Sequence, residues 1–452
     1  MLLHPRPFRR YNPLRHTQRT IALFWAPLAA TWVMMAAEGP FLAAMIARMP
    51  GPEFNLGAYG VAFALAILIE APVIMLMSAA TSLVKDRNSY LKMRNFSRGL
   101  ILGTTLLLLI VLVPGVYRWL TETLLQLPAE VADLTYGALW FFLPWPSAIG
   151  YRRFLQGVLI RAGKTRLVAM GTLIRLLAMT VAALLGYLLL DIPGAWVGGL
   201  ALGTGVTVEA IAARFMAAET VRGLLTEEGD AEYTGRTVTY RAIATFYLPL
   251  ALTSLIGLTI QPLLTFFMGR SVSPVESLAV YPVVHSLSFF FRSVGFAYQD
   301  AAIALIGERF EHYRELRRFC FTLGAVTTAG LGLVAFTPLF QLWFTVLSGL
   351  TPELTSFALI PARIIVPLPF LSVLLSFQRA ILVEGRRTQH ITWASVIEVT
   401  TVAVLFLTLG FRFEVVGATA AFTAFLGGRL LSTIYLAPGC ASVLRESLRG
   451  SA

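Results

Sequence analysis

Twelve apolar runs, each about 20 residues long, constrain this chain more than any other feature. They start near Thr20, Leu56, Arg98, Asp133, Leu167, Gly194, Arg241, Ser277, Phe319, Glu353, Ile391 and Val415. Runs of that length cross the hydrocarbon core of a bilayer. They must do so as helices, because lipid offers no partner to an open strand edge. Composition agrees: the 452 residues are 57% hydrophobic and 13% charged. That is too little charge to cover a water-soluble protein of this size, whereas lipid removes the demand. The expected fold class is an all-α polytopic membrane protein with twelve transmembrane helices, and its first partner is the lipid bilayer.

Basic residues give the orientation. The N-terminus, the even-to-odd loops and the C-terminal tail hold 27 of the 36 Lys and Arg residues. The other six loops hold four, at Arg48, Arg118, Arg270 and Arg412. The positive-inside rule then puts both termini in the cytosol of a multi-pass plasma (inner) membrane protein. The net charge of +12 does not indicate nucleic acid, because the basic residues lie between apolar runs. The first run begins near Thr20 and is too long for a cleavable signal peptide. Cys320 and Cys440 are far apart and read as free thiols.

The chain repeats itself. At a shift of 222, Phe24-Trp25-Ala26-Pro27-Leu28-Ala29 falls on Phe246-Tyr247-Leu248-Pro249-Leu250-Ala251. At the same shift Pro40 falls on Pro262, Arg48 on Arg270 and Tyr59 on Tyr281. At 223, Pro144-Trp145-Pro146 falls on Pro367-Leu368-Pro369, and Thr165 on Thr388. Two six-helix lobes are therefore expected, 1–225 and 226–452, with an acidic cytosolic linker at about 225–240. An even number of spans per half makes the lobes parallel repeats, related by a pseudo-two-fold along the membrane normal. Such repeats rock against each other around a substrate held at their interface. Pro27, Pro40, Pro249 and Pro262 each remove a backbone hydrogen bond and are expected to bend the first and seventh helices.

Charges inside the runs are the candidate functional groups. Each costs roughly 2.5–3.5 kcal/mol at mid-bilayer on insertion scales. Under the repeat, Glu70 falls on Arg292, Arg175 falls on Glu398, and Glu209 and Arg429 lie at similar depth. Matching positions thus carry opposite signs. The functional reading is a charged central cavity with Arg292, Arg363, Arg175 and Arg429 available to an anion. Glu38, just before Pro40, joins Glu70, Glu209, Glu398 and His285 as coupling or gating groups for H+ or Na+. The structural alternative is a set of ion pairs holding the two lobes together, with His285 as a packing residue. Gln156, Gln261 and Gln378 read as polar contacts between helices.

Other signals fail. Gly157 to Thr165 reads GVLIRAGKT, close to a phosphate loop, but five residues separate its glycines and a helix precedes it. It reads as a turn. Gly194, Gly198, Gly199 and Gly203 give small-xxx-small spacing for close packing in the sixth helix. No Cys/His spacing supports a metal, no nucleophile-base pair supports an enzyme, and no cofactor has a visible anchor.

The six-plus-six pattern resembles the multidrug/oligosaccharidyl-lipid/polysaccharide (MOP) exporter superfamily, which includes the multidrug and toxin extrusion (MATE) proteins. The stretch Phe154-Leu155-Gln156-Gly157 through Arg161-Ala162-Gly163-Lys164-Thr165-Arg166 is similar to its turn between helices four and five. Within the superfamily the sequence looks closest to the progressive ankylosis family. Ala58-Tyr59-Gly60, Pro249-Leu250-Ala251-Leu252, Tyr281-Pro282-Val283 with His285, Pro361-Ala362-Arg363-Ile364 with Pro367 and Pro369, and Gly417-Ala418-Thr419 carry that likeness. The resemblance implies a MATE-like monomer that exports a small anion such as pyrophosphate, citrate or a nucleotide. Efflux of organic cations and flipping of a lipid-linked substrate are rival transport readings. A major facilitator fold is a structural rival, and a membrane scaffold or lipid-modifying enzyme is a rival of another class.

Overall fold

The computed structural model describes residues 17–125, 127–226, 239–307, 309–348 and 350–449. Among the described residues every regular element is a helix, apart from a single bridge between Val272 and Val416. The linker expected at about 225–240 falls largely outside the described residues.

Among the described residues, ten stretches are long and apolar enough to cross a membrane. They are Gln18–Ile46, Phe54–Leu83, Arg87–Val111, Thr165–Leu189, Gly194–Thr226, Tyr240–Met268, Tyr313–Phe336, Pro352–Glu384, Gln389–Arg412 and Gly417–Ser447. Two more helical stretches complete the pattern of twelve. The fourth, 129–161, is broken into Ala129–Phe141 and Trp145–Arg161. The eighth, Pro274–Leu305, is continuous but is interrupted by serines, His285 and Arg292.

Proline positions explain the breaks. A proline has no N–H for the carbonyl four residues earlier. Pro40 therefore leaves the carbonyl of Ala36 without its helical donor, and the helix Gln18–Ala36 stops there. Pro262 does the same to Leu258, where Tyr240–Leu258 ends. Pro27 and Pro249 lie inside those helices without ending them. The Pro249 carbonyl accepts hydrogen bonds from Thr253 Oγ1 at 2.8 Å and Thr392 Oγ1 at 2.7 Å.

The duplication extends to details that the sequence match alone did not display. Asn55 Oδ1 caps the sixth span by accepting from Ala195 N at 2.9 Å. Ser277 Oγ does this for the twelfth, accepting from Ala418 N at 3.0 Å. Arg48 and Arg270 each turn back to the carbonyl four residues earlier, Ala44 and Phe266, satisfying a helix C-terminus. A π-helical turn recurs at Trp119–Leu124 and Leu342–Leu347.

The chain packs as two compact units. One is built from Val33–Tyr247. The other runs from Leu248 onward and takes in the start of the first span, up to Trp32. That start is held by Trp25 Nε1, which donates to the Val294 carbonyl at 3.0 Å, and by ring contacts of Trp25 with Phe319 and Trp32 with Phe296. The core of the second unit is apolar, centred on Val284, Leu331, Phe344, Phe406 and Phe422.

Within the first unit, Gly157 is needed where the fourth span crosses the second. A Cβ there would lie 2.4 Å from the Met77 carbonyl oxygen and 2.6 Å from Ala80 Cβ. Backbone cannot yield as a flexible side chain does. Gly157→Ala is therefore expected to destabilise the protein by about 1–3 kcal/mol, as overpacking generally does. A lowered midpoint in thermal unfolding of the detergent-solubilised protein would register it, and an unchanged midpoint would refute the close crossing. Gly163, at φ +77°, forms the turn that follows.

Candidate functional site: two buried charge clusters

The first unit contains a buried network of four charges. Arg152 Nη1 donates to Glu209 Oε2 at 2.5 Å, Arg175 Nη2 pairs with Glu38, and Arg175 Nη1 lies 3.8 Å from Glu209. Gln156 Nε2 and Thr172 Oγ1 donate to Glu209 Oε1 at 3.2 and 3.4 Å. Glu209 is 0% exposed and Arg152 is 1% exposed. Helix geometry assembles these groups. Arg152 and Gln156 stand four residues apart and so share a face, as do Thr172 and Arg175 at three apart. Glu38 opens the helix Glu38–Ile46, immediately after the break set by Pro40. Two arginines and two glutamates make the network electroneutral. Glu70 is buried nearby, within reach of the charges of Arg153 and Arg152, and its Oε2 has no hydrogen-bond partner.

The second unit has its own buried cluster at related positions. Arg429 Nη2 lies 2.8 Å from Glu398 Oε1, and Ser432 Oγ donates to Glu398 Oε2 at 3.4 Å. Arg379 Nη2 donates to Ser395 Oγ at 3.4 Å. Arg292 Nε donates to Ser372 Oγ at 3.1 Å. The guanidinium of Arg292 also sits over the Phe425 ring at 4.8 Å and near Phe296 at 5.8 Å, and Arg429 shares Phe425 at 5.5 Å. Such cation–π contacts favour a guanidinium without neutralising it. Both Arg292 and Arg379 are within electrostatic reach of Arg429 and Glu398. Arg292 Nη1, Arg379 Nε and Arg429 Nε are buried without hydrogen-bond partners. This cluster has three arginines to one glutamate.

The sequence-expected residues divide accordingly. Arg175, Glu38 and Glu209 meet in the first unit, with Glu70 beside them. Arg292, Arg429 and Glu398 meet in the second. Arg363 joins neither: it is exposed, with its guanidinium 5.3 Å from the ring of Phe336, itself 61% exposed. His285 lies 2.7 Å from Gln261 Nε2 and packs between the rings of Tyr281 and Phe289. It makes no hydrogen bond within either cluster, although the charge of Arg292 reaches it. Among the described residues no group of three His, Cys, Asp or Glu side chains could hold a metal ion.

Sequence reasoning missed Arg152 and gave Arg379 no role. Arg152 lies near the end of its apolar run, where a basic residue reads as part of the cytosolic loop. The signal that would have found it is the spacing Arg152–Gln156, which aligns two polar side chains on one face of an otherwise apolar helix.

No protein-family model matches the chain, and no curated protein matches it in sequence. Solved structures do match in fold. A MOP superfamily transporter from Pyrococcus furiosus superposes with a TM-score of 0.75 at 12% identity, covering 95% of this chain and 96% of that one. That structure is described as having a binding pocket of reverse polarity that suggests a different function. An outward-facing multidrug resistance MATE family transporter gives 0.74 at 12% identity, covering 95% and 96%. A eukaryotic MATE transporter gives 0.73 at 12% identity, covering 95% and 97%. The chain therefore has the fold of the MATE transporters of the MOP superfamily, spanning nearly their whole length.

Proposed function

We propose that this chain is a membrane transporter that exports a small anion by alternating access, with both termini in the cytosol. The observation that carries the reading is the arginine surplus of the second unit, in which Arg292 keeps a buried Nη1 without a partner. Buried charge in lipid is retained where it is paired or functional, and this group is unpaired. Pyrophosphate, citrate and nucleotides, implied by the likeness to the progressive ankylosis family, are the first substrates to try. Bidentate arginine contacts suit their carboxylate or phosphate oxygens. Arg175 is matched by Glu38, whereas Arg429 and Arg292 share the single carboxylate of Glu398, so these two are the contacts assigned to the anion. Glu70 is the group assigned to proton or Na+ coupling, because the two acids of the neighbouring network, Glu38 and Glu209, are already ion-paired.

MATE-like efflux of organic cations is the second reading, and the fold favours it. The test separates the two. Purified protein in proteoliposomes is loaded on one side with labelled citrate or pyrophosphate, or with a fluorescent organic cation. Anion flux above empty liposomes, with none for the cation, supports the proposal. Cation flux alone overturns it.

A further inference from the structure

The two buried clusters sit at equivalent places in the repeat, yet their charge differs. At a shift of 223, Arg175 falls on Glu398, Gln156 on Arg379 and Glu209 on Ser432. In the first unit Arg152 and Arg175 are matched by Glu38 and Glu209. In the second, Arg292, Arg379 and Arg429 share one carboxylate, Glu398. The surplus is therefore not a property of the fold. It arises from substitutions at these positions.

An arginine does not shed its proton in a protein, so neutralisation cannot relieve the surplus. Glu398 is ion-paired to Arg429, and Ser395, which takes Arg379, stands one turn before Glu398 on the same helix. Serines satisfy one edge of each guanidinium: Ser372 takes Arg292 Nε, and Ser395 takes Arg379 Nη2. The Phe425 and Phe296 rings fix the plane of Arg292. What is left over is buried donor capacity, Nη1 of Arg292 and Nε of Arg379.

We infer that Arg292, Arg379, Arg429 and Glu398 form an anion site selective for a species carrying two negative charges, with Arg379 as a contact of its own. This deepens the anion-transport reading and rests on it. Three guanidiniums less one carboxylate leave two positive charges, and a dianion closes the count. A dicarboxylate, sulfate or a doubly ionised phosphate meets the requirement. A monocarboxylate leaves one charge bare, and a tricarboxylate brings one too many. A phosphomonoester on a lipid headgroup has the same chemistry as the free ion.

The test is isothermal titration of the full chain in phosphatidylcholine nanodiscs, which contain no anionic lipid. Acetate, succinate, sulfate and citrate are the probes at one pH and ionic strength. Succinate and sulfate are expected to bind at least tenfold more tightly than acetate, and more tightly than citrate. Two variants then move the count in opposite directions. Arg379→Gln lowers it by one and is expected to erase the preference for succinate over acetate. Glu398→Gln raises it by one and is expected to shift the preference to citrate. Monodisperse elution from size exclusion qualifies each variant as folded, and Arg379→Lys, which keeps the charge, is expected to keep the preference for succinate. Stabilisation by phosphatidate-doped nanodiscs alone, with succinate and sulfate inert, would assign the same two charges to a lipid headgroup. If anions bind but their ranking ignores the variants, the charge assignment is overturned while anion transport stands. If no anion of any valence binds the unsubstituted protein, both readings fall.

Discussion

Glu209→Ala is expected to be the most destabilising single substitution in the first unit. The carboxylate accepts from Arg152, Gln156 and Thr172 and lies 3.8 Å from Arg175. Its removal leaves Arg152 buried without its ion-pair partner, with Glu70 and Glu38 acting only at longer range, and leaves Arg175 with Glu38 alone. Breaking a buried ion pair from one side costs about 3–5 kcal/mol. That is a large fraction of the total stability of a folded domain. The measurement is the thermal midpoint in detergent at a fixed scan rate, together with the yield of monodisperse protein. The comparison that makes it decisive is the double substitution Arg152→Met with Glu209→Met. Replacing both partners by apolar side chains of similar length is often close to neutral, so the double variant is expected to recover much of the loss. A Glu209→Ala protein as stable as the parent would mean that the network does not hold the unit together.

The sequence made the fold legible because lipid permits so few solutions. A 20-residue apolar run in lipid can only be a helix, and prolines at nearly the same offset, Pro40 with Pro262 at 222 and Pro146 with Pro369 at 223, betrayed the duplication. Those prolines also mark where the helices break. Pro27 and Pro249 do not end theirs; at Pro249 the proline's own carbonyl accepts from Thr253 and Thr392, which ties the helix to its neighbour there. The candidate site was legible only in part. Arg175, Glu209, Arg292, Glu398 and Arg429 stood out as charges deep in apolar runs, but who pairs with whom depends on helix rotation and contact, which a linear pattern does not encode. Arg152 was hidden because its helix runs on to Arg161, farther than an apolar window extends. Arg363 falls outside both clusters for a related reason: depth along a helix says nothing about which face a side chain occupies, and this one is exposed, over the Phe336 ring.

Arg292→Ala is expected to abolish anion transport while leaving the protein at least as stable as the parent. The two halves of that statement have separate physical causes. Arg292 has no carboxylate partner of its own; its contacts are Ser372 and two aromatic rings. Removing it takes one charge from a cluster that has too many, so little electrostatic stability is lost. A bound anion, in contrast, loses a desolvated arginine. Truncating one partner of a buried charged hydrogen bond costs about 2–5 kcal/mol in binding, and each 1.4 kcal/mol or so is tenfold in affinity. The initial rate of labelled citrate or pyrophosphate uptake into proteoliposomes should fall by at least about tenfold, on that conversion, at substrate levels below saturation. Arg292→Lys separates charge from shape. Lysine keeps the positive charge but not the planar fork that grips two oxygens at once, so it is expected to transport at an intermediate rate. Arg363→Ala serves as the contrast, since its side chain lies outside both clusters, and its rate should match the parent. Transport at parental rates in Arg292→Ala, with Arg363→Ala the slower of the two, would move the substrate contact from the buried cluster to the exposed Arg363.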